Sequence, residues 1–305
     1  MLFKKIYFRA LNILKGNINK ILSLYLYCKF FIINEFSKKK VSQSASIIIS
    51  LTTYHKRIKN VFLTLETLMQ QNYDGKYEIR LYLSKDDVIK NGGVPERLKK
   101  LQTRGLMIFI LNENIKSYKK LYYSSIYNNE KIIITADDDV FYPKWWLSQL
   151  LEVSVRNPSC IIAYRGHQIL FDKNGNLLDY HDFMINSLKQ DATHEPSFGF
   201  LPTGVSGILY PVKSIYNLNL DKELFLNLCP LADDVWFKIR TILNGFKSLR
   251  ASDRNQDFIL LPASQRESLT LKNVGNNEND IQLKKVLETY PNIKELLLGE
   301  LNNNK

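Results

Sequence analysis

The chain has 305 residues, of which 45% are hydrophobic and 24% charged. This size and composition suit one large α/β domain with a well-buried core. The formal net charge of +12 indicates an anionic partner such as nucleic acid, nucleotide phosphates or an acidic membrane surface. The cysteines, Cys28, Cys160 and Cys229, are widely spaced, which argues against a disulfide framework or a zinc site and favours a reducing compartment.

Residues 1–45 are predicted to form a basic amphipathic segment outside the catalytic domain. The first forty residues contain nine basic side chains and one acid, and so carry +8 of the net charge among large apolar residues. Lys20 and Lys29 interrupt the best apolar window, 18–33, so a membrane span is not expected, and no secretory cleavage site follows.

Two interpretations of this segment stay open. It forms helices that lie on the anionic inner face of the cell membrane, which would make the protein cytoplasmic and peripheral, or it packs on the domain with a solvated basic face.

From residue 46 the pattern alternates between short apolar runs and amphipathic stretches. The predicted strands are 46–53, 77–83, 106–111, 131–135, 159–164 and 205–210. The predicted helices are 57–71, 95–103, 117–127, 232–243 and 280–290. Such alternation implies right-handed crossovers in an α/β domain, 46–295, with a mostly parallel central sheet flanked by helices, and its ligands bind beyond the carboxyl ends of the strands.

Three less regular stretches complete the pattern. Residues 171–178 favour a hairpin that turns at Asn174 and Gly175. Residues 181–197 are polar and are predicted to be a surface loop, and residues 296–305 are predicted to be a disordered tail.

Three consecutive carboxylates, Asp137, Asp138 and Asp139, follow the predicted strand 131–135. Like charges this close repel one another unless a cation or other donors neutralise them. Oxygen ligands suit Mg²⁺ or Mn²⁺, which also coordinate a substrate diphosphate. The alternative is an acidic turn that caps the following helix, but a position at the end of a parallel strand favours the metal site.

The sequence of residues 135–143, Thr-Ala-Asp-Asp-Asp-Val-Phe-Tyr-Pro, resembles the DxD motif of GT-A glycosyltransferases. It is most similar to bacterial enzymes of the large inverting family that builds surface polysaccharides such as lipopolysaccharide or capsule. Further pieces similar to that family follow in the expected order over residues 46–290. The resemblance implies a GT-A fold, a nucleotide-sugar donor with UDP as the expected nucleotide, and Mn²⁺ or Mg²⁺ as cofactor.

The resemblance also assigns roles to residues. Those that match donor-binding positions are Thr52, Thr53, Arg57, Ser84, Asp86, Lys119, Asp137 and Gly204. The metal ligands come from Asp137, Asp138 and Asp139, and the register of D-x-D within these three stays open, as does any further ligand from the C-terminal part. Gly204 matches a loop against the donor sugar, although a tight turn into a strand would use the glycine equally well.

A second acidic pair, Asp233 and Asp234, begins the predicted helix 232–243. This segment resembles the ED motif of inverting GT-A enzymes, with Asp233 in place of the usual Glu, and the resemblance makes Asp234 the catalytic base. Inverting transfer needs a carboxylate that accepts the proton of the acceptor hydroxyl, and charge stabilisation on the leaving diphosphate. The alternative is ordinary helix capping, and Asp233 is expected to serve as the cap while Asp234 faces the acceptor.

The sequence therefore predicts a glycosyltransferase that moves a sugar from a nucleotide-diphosphate sugar to a hydroxyl of a glycan or lipid-linked glycan, with inversion. A phosphatase or nuclease would gather more ligands than the four scattered histidines offer. A nucleic-acid- or membrane-binding protein with an inactive transferase-like fold is the second alternative. Nucleic acid is not an expected partner, because the basic charge lies beside large aliphatic residues.

Overall fold

A seven-stranded sheet forms the centre of the protein. The structure is a computed structural model that describes residues 2–126, 128, 130–189, 195–262 and 277–303. The strands in these ranges are β1 Ile47–Thr52, β2 Glu78–Ser84, β3 Met107–Leu111, β4 Ile132–Thr135, β5 Val140–Phe141, β6 Cys160–Ala163, β7 Gly166–Gln168, β8 Phe200–Pro202, β9 Ile208–Tyr210, β10 Lys247–Arg250 and β11 Ile259–Leu260.

The strand order of the central sheet is β10-β6-β9-β4-β1-β2-β3. The parallel pairs are β1 with β2 and β4, β2 with β3, and β6 with β10, whereas β9 runs antiparallel to both β4 and β6. The mostly parallel sheet expected from the sequence is confirmed, with β9 as the reversed strand. As a result, β1, β2 and β4 end at the same edge, where ligands of such sheets bind.

Helices cover both faces of this sheet. Those in the described ranges are α1 Leu2–Phe36, α2 Val61–Met69, α3 Lys85–Lys90, α4 Glu96–Gln102, α5 Lys119–Ile126, α6 Trp146–Arg156, α7 Tyr180–Lys189, α8 Lys222–Leu228, α9 Asp233–Leu243, α10 Glu278–Thr289 and α11 Pro291–Asn303. The isoleucine run of β1 is buried on both sides, as expected of a parallel strand. Ile49 packs in the cluster that contains Leu65 of α2, and Ile48 in the cluster that contains Leu121 of α5.

Two predictions for the second half of the chain are wrong. Residues 181–189 of the expected surface loop lie in α7, because Phe183 turns inward and is fully buried. Residues 190–194 lie outside the described part of the chain. The expected disordered tail is helical through residue 303. Leu297 of α11 is buried, and its Glu300 accepts hydrogen bonds from Ser197 and Gly199. The predicted hairpin forms, with Phe171 and Leu177 paired antiparallel.

The basic N-terminal segment forms one long helix, α1, whose second half packs on the domain. Phe30 stacks on Phe141 at 5.8 Å between ring centroids. Asn34 is fully buried and donates a hydrogen bond to Glu66 of α2, and Ser23 donates one to the carbonyl of Leu260. Among the described residues, no helix is both long and apolar enough to cross a membrane.

Candidate functional site

The acidic loop 137–139 follows β4 at the ligand-binding edge of the sheet. Its backbone is held from three directions: Asp137 donates its N–H to the hydroxyl of Tyr142 at 2.8 Å, Thr64 donates to the carbonyl of Asp138 at 3.0 Å, and Leu261 donates to the carbonyl of Asp139 at 2.7 Å. The next helix, α6, has Trp145 as its N-cap residue without a side-chain cap. These aspartates therefore do not cap that helix.

Arg57, in the loop after β1, neutralises two of the three aspartates. Its guanidinium lies 2.8 Å from the carboxylate of Asp138 and 3.0 Å from that of Asp139. Thr53 donates a second hydrogen bond to Asp138. Burial raises the pKa of Asp138, and Arg57 and Thr53 oppose that rise. The two segments that the resemblance assigned to the nucleotide, around Thr53 and around Asp138, are thus in direct contact.

Lys120 neutralises the third aspartate, Asp137, and links it to α9. Its ammonium lies 3.0 Å from Asp137 and 3.5 Å from Asp233 of α9. Ser50 of β1 donates a hydrogen bond to the backbone carbonyl of Lys120, which fixes the start of α5 against the sheet. The two acidic motifs, far apart in sequence, therefore meet around one cation in one cleft.

Asp234 lies in the first turn of α9 and is held by the loop before β9. One of its oxygens accepts the N–H of Gly204 at 2.8 Å. Among the described residues, neither the other oxygen of Asp234 nor Oδ2 of Asp233 has a hydrogen-bond partner. Burial raises the pKa of Asp234 to about 7, and the neighbouring Asp233 carboxylate adds to the rise. A carboxylate with this pKa and a free oxygen suits a general base near neutral pH.

The expectation that Asp233 caps α9 is wrong. The N-cap residue is Ala232, without a side-chain cap, and Asp233 is already the first residue of the helix. The turn before the helix is fixed instead by Gln282 of α10, whose side-chain oxygen accepts the N–H groups of Leu231 and Ala232. Neither aspartate side chain therefore serves as the cap of α9.

Gly204 lies close to two charged side chains. A Cβ at this position would lie 2.9 Å from the ammonium of Lys120 and 3.1 Å from the carboxylate of Asp234. Gly207, at φ +102, turns the same loop against α6, where the indole N–H of Trp146 donates to the carbonyl of Ser206. The predicted glycine loop thus lies against the two charged groups.

In the loop predicted to contact the nucleobase, Asp86 and Asp87 lie in different surroundings. Asp86 is exposed, whereas Asp87 is buried and accepts hydrogen bonds at 3.0 Å from both the backbone and the ring of His55. Ser84 caps α3 by accepting the N–H of Asp87. The ammonium of Lys119 donates to Asn114 at 2.8 Å and lies 3.8 Å from Asp87, so Lys119 belongs to this side of the site and not to the acidic loop.

Thr52, another residue assigned to the donor, lies at the end of β1 and donates a hydrogen bond to the carbonyl of Tyr82 on β2. It links the ends of the two strands from which the loops of the site leave. The assigned residues therefore divide into two groups. One lies around Asp87, in the loop predicted to contact the nucleobase, and the other lies in the cleft around Asp137 and Asp234.

Three comparisons relate this architecture to known proteins. No protein-family model matches the sequence, and no curated protein matches it. Among solved structures, the mannosyltransferase of Pyrobaculum calidifontis, in complex with GDP-Man and Mn²⁺, matches with a TM-score of 0.52 and 12% identity over 92% of this chain and 80% of that one. The chain has the GT-A fold.

Two further solved structures are similar over part of their length. Residues 1–349 of Staphylococcus aureus TarS in complex with UDP-GlcNAc match with a TM-score of 0.44 and 12% identity, over 70% of this chain and 57% of that one. A CMP:2-keto-3-deoxy-manno-octonic acid synthetase complexed with CTP matches with a TM-score of 0.39 and 11% identity, over 69% of this chain and 88% of that one.

The carboxylates of residues 137–139 can be compared with the ligands that a divalent metal ion needs. Within the described residues, no group of three or more His, Cys, Asp or Glu side chains is placed to hold a metal ion. Asp138 and Asp139 share Arg57 and are about 10% exposed, whereas a quarter of the Asp137 side chain is exposed. One or two carboxylates with substrate phosphates are enough for Mg²⁺, so the residues present fit an ion that is bound together with a diphosphate.

Three side chains that contact the predicted site residues, Lys120, His55 and Asp87, were given no role from the sequence. Lys120 adjoins the assigned Lys119, and Asp87 adjoins the assigned Asp86. The phase of a helix decides which of two adjacent side chains faces a cleft, because neighbours on a helix point about 100° apart. His55 carried no signal, because a lone histidine after a strand is common.

Proposed function

We propose that this protein is a glycosyltransferase that moves a sugar from a nucleotide-diphosphate sugar to an acceptor hydroxyl by direct displacement with inversion. The observation that carries the proposal is the meeting of Asp137 and Asp233 around Lys120, next to an Asp234 carboxylate that has one oxygen free. An inverting displacement needs its leaving-group site and its base in one cleft, and the GT-A fold supplies such a cleft at the sheet edge.

Asp234 is the proposed base. The N–H of Gly204 orients one oxygen of its carboxylate, and the other oxygen is left to accept the proton of the acceptor hydroxyl. Its pKa of about 7 keeps a substantial ionised fraction at neutral pH while making it a stronger base than an ordinary carboxylate. Asp233 raises that pKa by its own charge and is a supporting residue of the same pair.

The donor is proposed to lie along the ends of β1, β2 and β4. The nucleotide would contact Thr52 at the end of β1 and Thr53 and Arg57 after it, with the nucleobase nearest the pair formed by His55 and Asp87. UDP is the nucleotide that the sequence resemblance favours. Asp137 would hold Mn²⁺ or Mg²⁺ together with the diphosphate, and Asp138 and Asp139 flank it. The metal, when bound, stabilises negative charge on the departing diphosphate.

The acceptor is proposed to be a glycan or lipid-linked glycan presented at an anionic membrane surface. The exposed face of α1 carries Leu14, Ile18, Ile21, Tyr25 and Ile32, all more than half exposed. The first forty residues add a charge of +8, which complements an anionic leaflet such as the inner face of the cell membrane. Docking of this face would hold the catalytic domain close to a lipid-linked acceptor.

The test is a donor screen by calorimetry with Mn²⁺ present or chelated. Sugar transfer to lipid-linked glycan extracts and the linkage of the product are measured in parallel. We expect tight binding of one nucleotide-sugar and a product of inverted configuration. A protein that binds no nucleotide-sugar under either condition would contradict the proposal. Binding without transfer would instead support the inactive-fold alternative.

A further inference from the structure

The ammonium of Lys120 is the feature of the cleft that the proposed reaction does not by itself explain. Only 8% of the Lys120 side chain is exposed, and its Nζ contacts carboxylates from two different motifs, Asp137 at 3.0 Å and Asp233 at 3.5 Å. A surface lysine would lose little by pointing into solvent. A buried one must be held by its partners, because removing an ammonium from water costs several kcal/mol.

The five carboxylates of the cleft divide between two cations. Arg57 lies between Asp138 and Asp139. Lys120 is left with Asp137, Asp233 and Asp234, of which the last acts on it through its charge. Three like charges that converge on a buried site repel one another, and without the ammonium α9 would be pushed away from the acidic loop.

The surrounding backbone is shaped to admit this ammonium. Gly204 leaves free the space that a Cβ would take from the Lys120 ammonium and the Asp234 carboxylate, at 2.9 and 3.1 Å. Ser50 of β1 holds the backbone of Lys120 from the other side. The side chain is therefore placed by the sheet, by the glycine loop and by both acidic motifs at once.

We propose that Lys120 is a positioning residue that joins Asp137 of the acidic loop to the first turn of α9 and thereby fixes Asp234 beside Gly204 at a set distance from the donor. The proposal rests on the glycosyl transfer proposed above and adds a residue to it. Its consequence is that donor binding and proton abstraction depend on Lys120 to different degrees. The donor's nucleotide contacts lie around Arg57 and Asp87, whereas the placement of the base depends on the ammonium.

The experiment compares Lys120→Met with Lys238→Met in the full-length protein. Lys238 is a matched control, because it is also buried, lies on α9 itself and donates to Ser248 away from the cleft. We expect Lys120→Met to lower kcat by about 100-fold, the effect of misplacing a catalytic group by about 1 Å. The dissociation constant of the donor, measured by calorimetry, should change less than about fivefold. Lys238→Met should leave kcat and the dissociation constant of the donor within about twofold of the wild-type values.

Two further variants separate positioning from simple stability. Lys120→Arg keeps the charge and should recover at least about a tenth of the lost kcat. In urea unfolding, the double variant Lys120→Met/Asp137→Asn should lose less free energy of unfolding than the sum of the two single variants. The reason is that Asp137→Asn removes a carboxylate that Lys120→Met leaves without its ammonium partner. This coupling is measurable even if Lys120→Met is too unstable for assay.

The outcomes distinguish this inference from the proposed function. If the wild type transfers sugar and Lys120→Met keeps its kcat, Lys120 is not a positioning residue. Additive unfolding energies for the pair, or equal losses of donor binding and kcat without recovery in Lys120→Arg, also overturn it. If the wild type itself transfers no sugar with any donor, the proposed function fails, whatever Lys120 does.

Discussion

The two acidic clusters of the cleft differ in how cations neutralise their negative charge. In the strand-end cluster, 137–139, each carboxylate has its own contact with Arg57 or Lys120. In the helix cluster, Asp233 and Asp234 share Lys120 and each keep one oxygen without a hydrogen bond to the described residues. Both clusters are largely buried, so burial alone does not separate them.

The difference shows how two sets of the same side chain acquire different chemistry. Carboxylates that are paired with a cation hold a fixed shape, which suits binding, and at Asp138 the pairing with Arg57 opposes the rise in pKa that burial causes. A carboxylate that is buried beside another acid, with an unpaired oxygen, has a raised pKa and takes up a proton readily. We therefore expect the strand-end cluster to bind the donor and the helix cluster to accept a proton.

The strongest test of this contrast removes the proposed base. Asp234→Asn keeps the shape and can still accept the N–H of Gly204, but it cannot take a proton, so we expect turnover to fall by at least about 100-fold. Donor binding, measured by calorimetry, should stay within about threefold of the wild type. Asp74→Asn, in an exposed loop outside the cleft, is the control. Unchanged turnover in Asp234→Asn would assign the base elsewhere.

Removing the cation of the strand-end cluster should act on stability and binding. Arg57→Met removes the cation that contacts the buried carboxylates of Asp138 and Asp139, so the free energy of unfolding should fall by roughly 3 kcal/mol. Donor affinity should fall with it. Arg57→Lys keeps the charge but not the two-pronged contact, and an intermediate loss is expected. Urea unfolding and calorimetry measure both effects, and a fully stable Arg57→Met would disprove that Arg57 neutralises this cluster.

The pH dependence of transfer should report the helix cluster. A carboxyl whose pKa is raised to about 7 is protonated below that pH and cannot act as a base. We therefore expect kcat/KM to fall about tenfold per pH unit as the pH drops below about 7 and to level off above it. The residual rate of Asp234→Asn should lack this acid limb. A wild-type profile that stays flat down to about pH 5 would contradict the raised pKa.

On the side of the site where the nucleobase is proposed to bind, two neighbouring aspartates, Asp86 and Asp87, can be compared. Asp87→Asn should weaken nucleotide binding by about tenfold, because the carboxylate orients His55 and lies close to Lys119. Asp86→Asn changes an exposed carboxylate and should alter binding by less than about twofold. Calorimetry with the free nucleotide diphosphate measures both. Equal effects would restore the original assignment of Asp86 as the contact residue.

The smallest expected effect concerns the outer face of α1. Lys20→Gln should weaken binding to vesicles that contain anionic lipid by about 1 kcal/mol, close to fivefold, and to neutral vesicles not at all. Lys99→Gln, an exposed lysine of α4 that is paired with Glu96, is the matched control. Co-sedimentation measures the difference. If the wild type ignores anionic vesicles, the exposed face of α1 has another role.

The sequence by itself determined the fold class and the segments of the site. Runs such as 47–49, three consecutive isoleucines, are characteristic of strands buried on both faces, and their alternation with helices implies a parallel sheet whose carboxyl ends carry the ligands. The acidic residues at 137–139 were found because a cluster of like charges is costly without a function. Asp233 and Asp234 were found through their resemblance to the ED motif. Local pattern was enough here, because each signal lies within a few consecutive residues.

Only the tertiary structure decided which side chains meet. The contact of Lys120 with both Asp137 and Asp233 depends on how α5 and α9 pack against the sheet, and nothing local encodes that distance. Packing also made helices of 180–189 and of residues 291–303, since Phe183 and Leu297 become buried against the rest of the domain. A pKa near 7 at Asp234 likewise arises from burial and a neighbouring charge, which exist only once the chain has folded.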